Sequence, residues 1–76
     1  DSPDQNLQRD ELRDKITIAI NSLSEDHREV ILLKEVEGLS YQEIAESIGS
    51  SIGTVMSRLY YARKKLQEIL KDNDYD

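Results

Sequence analysis

Most of the constraint on this chain's fold comes from the stretch 39–62, where two short helical patterns meet across Gly49, Ser50 and Ser51. Ser40 stands three residues before Glu43, the spacing at which the hydroxyl takes the amide of Glu43 while the carboxylate returns to the amide of Ser40. Leu39 and Ile44 supply the matching hydrophobic staple. Tyr41, Ile44, Ala45 and Ile48 then recur at i, i+3, i+4 and i+7, one face of a short helix. Gly49 is placed to end it, since glycine accepts a left-handed conformation without steric cost. Ser51 can cap a following helix through the amides near Gly53 and Thr54. Two helices joined by so short a glycine-containing turn must cross sharply, which is the helix-turn-helix arrangement. The small Ala45 facing the bend permits the close approach. An ordinary corner of a helical bundle is the competing reading.

The second helix distinguishes the two. Ile52, Val55, Leu59, Ala62, Leu66, Ile69 and Leu70 keep steps of three and four and form one apolar stripe. Opposite it, at 100° per residue, project Gly53, Ser57, Tyr60, Tyr61 and Lys64, with Thr54 and Lys65 beside them and Arg58 on the flank. Hydroxyls and phenols can donate to phosphate or read base edges, and Arg and Lys neutralise phosphates. Gly53 leaves room for a sugar-phosphate backbone near a helix start that is itself suited to anions. Ser51, at that start, joins the candidate DNA-binding set. If Arg58, Arg63, Lys64 and Lys65 all touch phosphate, log K should fall against log salt with a slope of about −3 to −4.

The run Gly38, Leu39, Ser40, Tyr41, Gln42, Glu43, Ile44 and Ala45, then Gly53, Thr54, Val55, Met56, Ser57, Arg58 and Leu59, then Ala62 and Arg63, resembles region 4 of bacterial sigma factors of the extracytoplasmic-function (ECF) group. The resemblance extends from about Pro3 to Leu70. It implies an all-α, four-helix domain with a C-terminal helix-turn-helix. The implied function is recognition of the minus-thirty-five promoter element and docking on the β flap of RNA polymerase core. It places Thr54, Ser57, Arg58, Tyr60 and Tyr61 where the recognition helix meets DNA, and Ser40 and Tyr41 where the preceding helix start lies near a phosphate. Two positions depart from the family pattern. Met56 stands where many relatives carry Lys or Arg, and Tyr61 where Arg is common; Met56 also lies near the edge of the apolar stripe, where packing is its competing role.

The rest of the chain reads as support for this unit. Ser2, Pro3 and Gln5 form a helix-start signature, and Leu12, Ile16, Ala19, Ile20 and Leu23 give the first helix a core face. Leu7 and Ile18, eleven residues apart on another side, form a second apolar stripe that is either a partner surface or scattered exposed residues. Ser24 can cap a second helix from Glu25 to about Val36, ended by Gly38. Its four consecutive apolar residues, Val30, Ile31, Leu32 and Leu33, need cover on more than one side. Leu32, Leu33 and Val36 are expected to face the core, and Ile31 to point away with His27 and Lys34 as a third partner-surface residue. Helix is expected over about 2–71, with 72–76 a polar, acidic, frayed tail.

Composition excludes several classes. One histidine and no cysteine leave no metal constellation. His27 reads as a solvated surface residue. No glycine elbow supports a serine nucleophile, and the Gly49 to Gly53 segment lacks the lysine and preceding strand of a phosphate-binding loop. Neither an enzyme nor a small-molecule or cofactor site is indicated. The absence of cysteine, of a signal sequence and of a long apolar run fits a cytoplasmic protein without membrane contact. The net charge of −6 argues against DNA, but its distribution answers part of that objection. Residues 1–51 hold five basic and twelve acidic side chains, giving −7; residues 52–71 hold five and one, giving +4; residues 72–76 give −3. Beyond a Debye length of about 8 Å the acidic remainder is screened at physiological salt. Weak DNA binding by the domain alone is expected, made sufficient by tethering to polymerase.

All 76 residues are read as one domain. The first residue is Asp, and the resemblance implies a preceding domain that binds the core enzyme and the minus-ten element. An anti-sigma factor is a further implied partner. Two alternatives stay open: the DNA-binding module of a response-regulator activator, and a helical protein-interaction module without DNA contact.

Overall fold

Hydroxyl caps set three of the helix starts. The computed structural model describes the backbone of residues 3–72 and the side chains of residues 9–71. Its helices are α1 (Pro3–Asn21), α2 (Glu25–Ile31), α3 (Tyr41–Ile48) and α4 (Ile52–Asp72), with a π-helical segment, Leu32–Val36, continuing α2. The described residues contain no strand, so the all-α, four-helix expectation holds. The expected Ser2 cap and the tail at 73–76 lie outside the described residues.

The amide of His27 donates to Ser24 Oγ at 3.3 Å and that of Thr54 to Ser51 Oγ at 3.1 Å. At α3 the reciprocal box is complete: Glu43 N–H to Ser40 Oγ at 3.1 Å, and Ser40 N–H to Glu43 Oε1 at 2.8 Å. Gly49 (φ 69°) ends α3 in the left-handed region, and Ser50 N–H reaches back to the Ala45 carbonyl at 3.0 Å. Gly38 (φ 74°) ends the π segment in the same way.

The core joins Leu23, Val30 and Ile31 to Ile44 and Ala45 of α3 and to Val55, Leu59 and Ala62 of α4; Leu33, Leu39, Tyr41, Ile48 and Leu66 pack at its margin. Each fully buried Val, Ile or Leu there contributes roughly 1.5–3 kcal/mol.

Three expectations need correction. The second helix is α-helical only as far as Ile31. It then widens to i→i+5 bonding, with Glu37 N–H donating to the Leu32 carbonyl at 3.0 Å. The wider turn, bridged by a bond from Leu39 N–H to the Leu33 carbonyl, lets both leucines reach the core margin.

The buried face of this helix is also different. Ile31 is 3% exposed and belongs to the core, whereas Leu32 and Val36 are 38% and 70% exposed. Ile31 is therefore no partner-surface residue. The half-buried neighbours one turn either side of it are His27 and Lys34. Their long or flat side chains cover apolar surface while keeping a polar end outside. The Lys34 ammonium finds its place 5.1 Å from the Tyr41 ring centroid and 3.4 Å from the Leu39 carbonyl. His27 is half-buried at the edge of an open cleft, not fully solvated.

In α1, only the C-terminal part of the expected core face is covered. Ala19 and Leu23 are buried, but Leu12 and Ile16 are exposed. Among the described residues, every side chain of α1 from 9 to 18 is exposed. Leu7 belongs to α1, and its side chain lies outside those described.

Candidate nucleic-acid interface

Along α4 the apolar stripe is buried at Val55, Leu59 and Ala62, half-buried at Leu66, Ile69 and Leu70, and exposed at its first member, Ile52. Gly53, Ser57, Tyr60, Tyr61, Lys64 and Lys65 are exposed. Hydroxyl, phenol and ammonium groups thus line the outward side of a helix whose aliphatic side closes the core. The two tyrosine rings meet edge to face with centroids 5.0 Å apart.

The helix start is held by its own residues. Ser51 accepts the Thr54 amide and donates its hydroxyl proton to Thr54 Oγ1 at 3.1 Å. Both side chains therefore serve first to order the turn, and Thr54 is half-buried. Ser40 has the same dual standing, because its Oγ and its amide are both taken by Glu43. Tyr41, half-buried, stands across a groove of about 550 Å³ from Met56, Tyr60 and Lys64. The first turn of α3 and the middle of α4 are thus brought to one surface.

The cations divide into two groups. Arg58 turns toward α2, where its guanidinium lies 3.7 Å from the Asp26 carboxylate, leaving 29% of its side chain exposed. Arg63 is bonded to Glu35 of the π segment at 3.0 Å. That bond is the main cause that raises the Arg63 pKa above its ordinary value; burial opposes it, and the Tyr41 hydroxyl and the Glu35 charge add to it. Lys64 and Lys65 are exposed, beside a second cleft of about 450 Å³ that runs between α4 and the α1–α2 connection at Ser22 and Ser24, with His27 of α2. The outward positive charge is therefore smaller than the sequence count implies.

Asp26 and Glu35 were not among the residues singled out by sequence. Each lies in a separate helical segment, and no spacing rule links them to Arg58 or Arg63. Met56 was placed at the stripe edge, with packing as one option; at 53% exposed it does not pack into the core. Among the described residues no group of acidic or histidine side chains could hold a metal ion, and no helix is long and apolar enough to cross a membrane.

Comparison with known proteins adds an independent line. The chain matches the family model described as sigma-70, region 4, over residues 13–66. It is similar to the RNA polymerase sigma-H factor of Pseudomonas aeruginosa, with 38% identity over 71 residues, 93% of this chain and 37% of that protein. It is also similar to the ECF RNA polymerase sigma-E factor of Haemophilus influenzae, 39% identical over 67 residues, 88% of this chain and 35% of that protein. The sigma-E factor of Escherichia coli K12 is 42% identical over 65 residues, 86% and 34% respectively. The chain spans little more than a third of the length of these relatives.

Proposed function

Because the chain belongs to the sigma-70 region 4 family, we propose that it reads the minus-thirty-five promoter element for an ECF-group initiation factor working in the cytoplasm. In this reading α4 enters the major groove, and the start of α3 lies along the flanking phosphates. Ser57, Tyr60 and Tyr61 read base edges; Lys64 and Lys65 neutralise phosphate, and Arg58 joins them once it leaves Asp26. Ser40, Ser51, Gly53, Thr54 and Tyr41 shape and border the contact surface. The role is binding, not catalysis.

One observation carries the proposal: the same helix that seals the core with Val55, Leu59 and Ala62 presents Ser57, Tyr61 and Lys64 to solvent. Family membership favours an initiation factor over a response-regulator activator. The β flap of RNA polymerase core and an anti-sigma factor are the proposed protein partners. Ile18, 62% exposed on α1, is the described residue offered for such a contact.

Binding-site selection with the full-length factor and polymerase core tests this. The expected result is enrichment of an upstream element whose preferred bases change in Ser57→Ala and Tyr61→Ala. Unchanged preferences in both variants would show that another face reads the DNA.

A further inference from the structure

We propose that Met56, with Tyr60 one turn further on, reads thymine through its 5-methyl group. This inference rests on the promoter-recognition reading and gives one of its base contacts a chemistry.

Met56 occupies the second turn of α4, within the N-terminal part that a recognition helix places against base edges. It is 53% exposed and Tyr60 59% exposed, on the side of α4 that faces Tyr41. Arg63, which lines the same groove, is drawn back to Glu35. The result is an exposed thioether and a phenol ring one turn apart lining one groove, bordered by Lys64 for the phosphates and continuous with the exposed face through Ser57. Guanine is normally recognised by a bidentate Arg or Lys donor, and a methionine has none to offer. Pressed against guanine O6 and N7 the thioether would displace water and replace no hydrogen bond, and as a weak acceptor it would replace that of the cytosine amino group poorly. The one apolar feature on the major-groove floor is the thymine methyl. Methionine, unbranched and polarizable, can follow that surface closely.

The test uses holoenzyme reconstituted from the full-length factor and polymerase core, on a promoter fragment recovered by selection. Each thymine of the upstream element is replaced in turn by deoxyuridine, which removes the methyl and keeps the base pair. Loss of one buried methyl should weaken binding roughly fourfold at one or two positions. In Met56→Ala holoenzyme the thymine and deoxyuridine fragments should bind alike at those positions. Because Met56 is exposed, that variant should keep its helical circular dichroism and melting temperature. Binding that is indifferent to every thymine methyl would overturn this inference and leave promoter recognition standing. So would methyl sensitivity that persists unchanged in Met56→Ala, whatever Tyr60→Ala does. Failure of the holoenzyme to engage any upstream element would remove promoter recognition itself, and this inference with it.

Discussion

The contact between Arg58 and Asp26 gives the interface its most discriminating prediction. At 3.7 Å, with 67% of the aspartate side chain exposed, the pair is a solvent-screened ion pair of about 0.2–1 kcal/mol. If Arg58 transfers to a phosphate on binding, that pair must first open. Asp26→Asn should then tighten promoter binding by roughly 1.4- to 5-fold. It should leave the salt slope unchanged, because the number of phosphates neutralised is the same in both proteins. Arg58→Ala should instead make the slope of log K against log salt shallower by about 0.9. Between 50 and 200 mM salt that difference amounts to about 3.5-fold in relative affinity. In the double variant the gain from Asp26→Asn should disappear, since the arginine it released is absent. Fluorescence anisotropy of a labelled promoter fragment, titrated with holoenzyme at several salt concentrations, measures all four corners of the cycle. Weaker binding by Asp26→Asn would mean that the carboxylate positions Arg58 in the complex. A wild-type slope in Arg58→Ala would take this arginine off the DNA altogether.

Other consequences are open to simpler measurements. Ile31→Ala should lower unfolding free energy by about 2–5 kcal/mol in urea titrations, and Leu32→Ala by clearly less; the reverse order would contradict the buried face of α2. Gly49→Ala should cost about 1 kcal/mol, a fall in Tm of about 4–8 °C. An added Cβ there meets nothing within 4 Å, so the left-handed φ is the whole cause, and an unchanged Tm would discount it. Ile18→Asp should weaken capture by polymerase core or an inhibitory protein with circular dichroism unaltered, and full retention of both affinities would clear Ile18 of any interface. With Arg63 held by Glu35, the share of the salt slope due to Arg58, Lys64 and Lys65 should be near −2.7 rather than the −3 to −4 of four cations; Glu35→Gln should move it toward the larger figure.

What could be read from the sequence was local. The Ser40–Glu43 box, the Ser51 cap and the left-handed Gly49 depend on neighbours within a few residues, and the outward face of α4 follows from a stripe that keeps one period over several turns. The second helix failed for a physical reason. Four apolar residues in a row, Val30 to Leu33, sweep most of a helical circumference, so periodicity alone could not choose the inner side. The polar residues that accompany the true inner side, His27 and Lys34, are types that bury their stems. Likewise nothing along the chain announces that Glu35 will meet Arg63, 28 residues later, or that the described part of α1 will be buried only near its end. Such facts belong to the assembled fold.

That one-sided support of α1 has a dynamic corollary. A helix segment whose side chains from 11 to 18 are all exposed draws no support from the core, and isolated helices shorter than about 12–15 residues are marginal in water. Its backbone amides should therefore trade protons for deuterons far sooner than those of Val55, Leu59 and Ala62, with a gradient of slowing toward Ala19. A neighbouring surface laid on Leu12 and Ile16 would flatten that gradient, making deuterium uptake along α1 a direct reporter of occupancy.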